Sequence, residues 1–196
     1  MTEEVDAGRR HFLTVATVAT GAVGAAFVAV PFLASWKPSA RAKAMGAPVE
    51  VDVSKLEPGA MLKVEWRGKA IFVVHRTPQM LAQLEGVADK LRDPDSAQSD
   101  QPEFAKSPER ALKPEYLVLV GVCTHLGCAP LDKFTAGDPT VSPDWPGGFF
   151  CPCHGSKFDI SGRVFKDVPA PTNLSVPPYQ FVSDTRILIG AEKGNA

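Results

Sequence analysis

Net charge is almost absent from this 196-residue chain: 21 Lys+Arg stand against 22 Asp+Glu, a formal balance of -1. No basic stripe runs through it either, so electrostatic binding of nucleic acid is excluded as its role. Cysteine is scarce. Four residues are too few for a disulfide-built miniprotein but enough for a metal site, so their placement matters more than their number. Internal repeats are lacking, and the length leaves no room for a large multi-domain enzyme. Proline (18) and glycine (16) are plentiful, which argues against a helical bundle and for strands joined by turns. A hydrophobic content of 44% excludes a wholly disordered chain.

Charge is also missing locally. Residues 12–33 carry none, and as a helix this stretch would run about 33 Å, enough to cross the hydrocarbon core of a bilayer. Ahead of it stands Gly8-Arg9-Arg10-His11-Phe12-Leu13, a twin-Arg sequence that resembles a Tat export signal. Flank charge points the other way. Arg9 and Arg10 are offset by Glu3, Glu4 and Asp6, whereas Lys37, Arg41 and Lys43 follow the apolar run, and a positive-inside count would keep the C-terminal part in the cytoplasm. The twin-Arg signal is given precedence, because it is sorted by a receptor rather than by flank charge. Ala40-Arg41-Ala42 and Ala42-Lys43-Ala44 have the small-x-small form of a cleavage site. They lie well past an apolar run that is too long for a signal h-region, so a retained anchor is expected.

The chain therefore divides into an N-terminal segment (1–11), a transmembrane anchor (12–34), a polar linker (35–48) and a folded domain (49–196). Within that domain 49–53, 61–66 and 70–75 alternate or are β-branched, with turns at Glu57-Pro58-Gly59 and Arg67-Gly68-Lys69. Residues 78–85 read as a short helix, and 92–114 as charged, Pro-rich chain with little regular structure. The apolar run 116–122 reads as a buried strand, and 179–182 with 186–190 as a closing hairpin. The fold class is mainly β and antiparallel.

The chemistry is concentrated in two segments, Cys123-Thr124-His125-Leu126-Gly127-Cys128 and Cys151-Pro152-Cys153-His154-Gly155-Ser156. They hold all four cysteines and two of the four histidines; His11 and His75 read as ordinary residues. A Cys-x-His pair and a Cys-x-x-His pair can supply a tetrahedral Cys2His2 zinc site. That leaves Cys128 and Cys153 unexplained. If Cys123, His125, Cys151 and His154 bind metal, the other two can form a disulfide tying the segments together, a bond that persists in an exported domain. Such a bond would stabilise the fold by about 3–4 kcal/mol in the chain-entropy model.

The two segments together resemble the cluster-binding loops of the Rieske family, in which a [2Fe–2S] cluster has Cys ligands on one iron and His ligands on the other. The twin-Arg start, the anchor, Ala42-Lys43-Ala44-Met45 and Pro169-Ala170-Pro171 resemble one branch of it, the iron–sulfur subunits of bacterial ubiquinol–cytochrome c reductase. The resemblance implies an antiparallel β-sandwich Rieske domain with an inserted cluster-binding subdomain (about 117–171) and one N-terminal transmembrane helix. It implies Cys123 and Cys151 on the inner iron, His125 and His154 on the outer one, and a Cys128–Cys153 disulfide. His154 would contact quinol and accept the electron and proton, and would then dock to cytochrome c-one. Ser156 would hydrogen-bond a bridging sulfide, and Leu126 would shield the cluster at the docking tip. Gly127 and Gly155 would let backbone N–H groups approach the sulfurs, while Pro169 and Pro171 cover the third side.

By the same resemblance the linker is a hinge that lets the head domain swing. The partners would be cytochrome b, cytochrome c-one and ubiquinol, within a dimeric complex of the bacterial inner membrane, with a single-pass anchor and a periplasmic head. Neutral His ligands raise the potential relative to thiolates, which suits quinol oxidation coupled to proton release. One position departs from the pattern: many high-potential members carry Tyr two residues after the serine, and this chain has Phe158. Two alternatives share the motif. The small Rieske subunit of a periplasmic oxidase such as arsenite oxidase is disfavoured by the 78–114 insertion and the hinge-like linker. A Rieske ferredoxin or oxygenase component is disfavoured by the extra cysteine pair and the anchor.

Overall fold

The computed structural model describes residues 6–191; Glu3 and Glu4 of the flank count lie outside them. The chain divides into two compact units, at residues 1–44 and 45–196. In the first, α1 (Ala7–Ser35) starts before the apolar run, because the Asp6 carboxylate accepts from the Gly8 and Arg9 amides and caps it. Thr14, Thr17 and Thr20 donate their hydroxyls to carbonyls one turn back, at 2.8 to 2.9 Å. Their polar groups are thereby satisfied without water, as a lipid-facing helix requires. This helix is long and apolar enough to cross a membrane.

The linker contains more structure than its composition indicates. Helix α2 (Ala40–Gly46) forms there, with the Ser39 hydroxyl accepting from the Ala42 amide at 3.1 Å. The Ala, Arg, Lys and Met of this stretch are strong helix formers, so a side-chain cap suffices to start a short helix.

Residues 49–191 build three antiparallel three-stranded sheets. The strands β1 (Val49–Asp52), β9 (Arg186–Ile189) and β8 (Tyr179–Ser183) form one, in the order β1-β9-β8. A second runs β2 (Met61–Trp66), β3 (Lys69–His75) and β4 (Tyr116–Val120). Both feed a shared core, in which Val51, Tyr179, Ile187 and Ile189 meet Ile71 to Val74 and Leu117 to Leu119. The four consecutive buried residues of β3 explain why it reads as an unbroken apolar run rather than an alternation. Strand β4 ends two residues earlier than its apolar run, since Val122 turns back to hydrogen-bond Val120. Gly121 lets this bend lie against the Phe72 ring, where a Cβ would sit 2.3 Å from a ring carbon.

The third sheet, β5 (Leu131–Lys133), β6 (Gly148–Phe150) and β7 (Lys157–Phe158), was not legible in the sequence. Its strands are two or three residues long, too short to show a period. Phe149 and Phe158 nonetheless join the main core together with Cys123 and Cys151. The helix expected over 78–85 is α3 (Pro78–Ala82), capped by Thr77, followed by a separate 3-10 turn at Glu85–Lys90.

Residues 92–114 are mostly irregular, as expected, yet they are far from a solvated loop. Arg110 is fully buried, and its guanidinium donates to the carbonyls of Ser161, Gly162 and Leu174 and to the Gln101 amide oxygen. Arg163 is buried beside Asp159, whose carboxylate accepts from the Arg163 Nε at 2.7 Å and from the Ser161 and Arg163 amides. The remaining guanidinium nitrogens of Arg163 donate to the Leu84 and Pro94 carbonyls. Charged residues thus pin irregular chain through backbone carbonyls, which apolar patterning cannot reveal.

Candidate metal centre

Strand β4 delivers one loop to this end of the domain; β6 and β7 deliver another. The two have the same backbone bonding. In the first, Cys123 N–H donates to the Cys128 carbonyl at 2.7 Å and Gly127 N–H to the Cys123 carbonyl at 3.0 Å. In the second, Cys151 N–H donates to the Ser156 carbonyl at 2.8 Å and Gly155 N–H to the Cys151 carbonyl at 3.0 Å. Each loop therefore has a cysteine at its base and a glycine just past its tip. Gly127 and Gly155 have φ of 85° and 77°, and a Cβ at either would meet nothing within 4 Å. Conformation, not space, requires glycine here, and these N–H groups close the loops on the cysteine carbonyls.

The donor atoms are segregated by type. Cys123 and Cys151 are buried, His125 is half-buried and His154 is exposed. The two imidazoles stand edge to face with ring centres 4.8 Å apart. Cys128 and Cys153 are joined as a disulfide across 25 residues, which leaves Cys123 and Cys151 as the free cysteines. Two buried cysteines with one half-buried and one exposed imidazole, on paired loops, suit a centre with chemically different ends.

Electrostatics supports that reading. Burial pushes the Cys123 thiol up, and the neighbouring Cys151 adds to this, while the His125 amide and the Ser156 hydroxyl act against it. The buried Cys123 thiol therefore resists becoming a thiolate unless a cation lies beside it. The residues present therefore fit a metal centre held by Cys123, Cys151, His125 and His154.

The surroundings hold the loops in place. Ser156 is fully buried, and its Oγ accepts from the Ala170 amide at 3.1 Å. That contact brings the 169–171 segment against the second loop, with Ala170 buried and Pro169 and Pro171 exposed. Thr124, which the sequence reading did not single out, donates its hydroxyl to the Thr172 carbonyl at 2.7 Å and ties the same segment to the first loop. The available signal was a hydroxyl placed between two ligand positions. Leu126 is 72% exposed at the tip of its loop.

Phe158 is fully buried and pairs with Phe149 across β6 and β7. Neither tyrosine of the chain stands in for a phenol there. Tyr116 stacks on His75, and the Tyr179 hydroxyl accepts from the Leu112 amide. His75 contacts the Leu56 carbonyl through Nδ1 at 2.7 Å rather than joining the loops, and His11 lies on α1.

Comparison with known proteins gives two family matches. Residues 1–39 match a family described as the ubiquitinol-cytochrome C reductase Fe-S subunit TAT signal, and residues 47–180 match the Rieske [2Fe-2S] domain. Among similar proteins, the ubiquinol-cytochrome c reductase iron-sulfur subunit of Allochromatium vinosum is 57% identical over 96% of this chain and 91% of its own length. The protein of the same description from Blastochloris viridis is 48% identical over 96% of each chain. That from Rhodospirillum rubrum is 47% identical over 94% of this chain and 93% of its own.

Proposed function

The chain belongs to the Rieske family, in the branch of ubiquinol–cytochrome c reductase iron–sulfur subunits, and on that footing we propose that it is the electron-transfer subunit of such an oxidoreductase complex. Its cofactor is a Rieske [2Fe–2S] cluster. The observation that carries the reading is the pair of matched loops, with buried Cys123 and Cys151, half-buried His125 and exposed His154. Relatives of matching length favour this over the periplasmic oxidase subunit, and the extra cysteine pair and the apolar α1 favour it over the oxygenase component.

When bound, the cluster supplies acceptance and donation of single electrons at a potential raised by its imidazole ligands. The protein does the rest. Exposed His154 offers its outer ring nitrogen to a quinol hydroxyl and holds the proton that leaves with the electron. Leu126, exposed at the tip of the first loop, excludes water from the contact. Ser156 directs its hydroxyl into the site, and the 169–171 segment closes the remaining side. The partners are cytochrome b and cytochrome c-one, in a dimeric complex. Helix α1 anchors the chain in the bacterial inner membrane with the head on the periplasmic side. Residues 35–48, including α2, act as the hinge by which the head moves between partners.

The test is isolation of the native protein in mild detergent with iron, sulfide and subunit analysis. About two irons and two labile sulfides per chain, with cytochrome subunits in the same particle, are expected. Stoichiometric zinc without labile sulfide would overturn the assignment.

A further inference from the structure

Residues 168–173, the cover of the Rieske reading, lie against both ligand loops, and what holds them from behind is a segment with no part in the site. Arg92 donates from Nη2 to the Val168 carbonyl at 3.1 Å. At the other end, Asn173 is 1% exposed and every hydrogen-bonding position of its carboxamide but one lone pair is filled. Its Oδ1 accepts from the Val164 amide at 2.8 Å, and its Nδ2 donates to the Asp93 carbonyl at 2.9 Å and the Ser96 hydroxyl at 3.0 Å. Its own amide donates to the Ser99 hydroxyl at 3.1 Å. Ser99 in turn donates to the Asp93 carboxylate at 2.7 Å, which also accepts from the Ala97 and Gln98 amides. The segment 92–99 is thus a folded bracket rather than loose chain.

From the front, the same cover is held at Ala170 by Ser156 and at Thr172 by Thr124. The Ala170 contact has a chemical consequence. By donating into Ser156 Oγ it occupies an acceptor position of that oxygen, leaving the single hydroxyl proton for the other side, where the Rieske reading places a cluster sulfur. If the back anchor slackens, Ala170 withdraws and the hydroxyl turns freely. A hydrogen bond that favours the reduced state is then weakened.

We propose that Asn173, seated in the 92–99 bracket, is a positioning residue that fixes the Ser156 hydroxyl toward the metal centre through the 168–172 cover. The proposal rests on the Rieske reading above, and it assigns a role to a segment that carries no ligand. Asn173 makes no hydrogen bond to either ligand loop; its links run to the cover, to the bracket and, through Val164, to the strand that leaves the second loop.

The test uses the full chain in its isolated complex, with Asn173→Ala and Ser99→Ala, the latter leaving the cover's own side chains intact. Hydrogen exchange of the Ala170 amide and the midpoint potential are read together, beside iron content and thermal stability. Expected are exchange at Ala170 faster by about tenfold, the equivalent of roughly 1.4 kcal/mol, and a lower midpoint. At fixed potential the reduced-to-oxidised ratio should fall by at least about threefold, the lower part of the range for one hydrogen bond. Ser99→Thr, which keeps the hydroxyl, should restore both. Ile187→Val, a core truncation in β9, should lower stability and move neither. Iron-replete variants with unchanged exchange and midpoint would overturn the proposal; should Asn173→Ala fail to fold, Ser99→Ala decides alone. Absence of iron from the wild-type protein would instead defeat the Rieske reading.

Discussion

Replacing Phe158 by tyrosine tests how the potential of this centre is set. The ring is fully buried at the start of the chain's return from the second ligand loop, paired with Phe149. It packs in the same core as Cys123 and Cys151, and both tyrosines of the chain are engaged elsewhere. The prediction is that a hydroxyl added there donates to a ligand sulfur. Such a bond withdraws electron density and favours the reduced state. A hydrogen bond contributes about 0.5–1.5 kcal/mol net, and about 1.4 kcal/mol is tenfold or 59 mV for one electron. Phe158→Tyr should therefore raise the midpoint by about 20–65 mV. The inserted oxygen also has to fit a filled core, so a loss of about 1–3 kcal/mol in stability is expected alongside. Redox titration of the cluster signal in the isolated complex, with iron content as control, is the assay. An intact cluster whose midpoint stays put or falls would refute the reasoning and show that the potential is governed elsewhere.

Three further perturbations probe separate parts of the structure. Cys128→Ala with Cys153→Ala removes a bond closing 25 residues and should cost about 3.5 kcal/mol in denaturant unfolding; unchanged stability would mean the loops are held by their other contacts. Asp159→Ala strands the buried Arg163 guanidinium and two amides, so unfolding should be easier by about 3–5 kcal/mol. Asp159→Asn, which keeps an acceptor, should lose less, and equal losses would contradict the ion-pair account. Prolines placed within α2 (Ala40–Gly46) should slow turnover of the complex while leaving the cluster spectrum intact; undiminished turnover would reduce the linker to a spacer.

The sequence by itself determined the parts whose physics is local. Twenty-two consecutive uncharged residues force a long apolar helix, and β2 was legible to its exact ends because alternation and a glycine turn bound it. The two cysteine–histidine segments announced the site, since ligand chemistry demands particular residue types at short spacing. Tertiary structure decided what depends on residues far apart. The strands of the third sheet are too short to carry a period and exist only because the β-core flanks them. Thr124 acquires a role only when Thr172 is folded beside it, 48 residues later in the chain. Residues 92–114 read as charged, Pro-rich chain with little regular structure, because no apolar period runs through them. Arg110 and Asp93 are buried there because folding supplies carbonyls, amides and hydroxyls to meet them. A charge's partner is set by spatial proximity, and proximity across dozens of residues is not written in any local pattern.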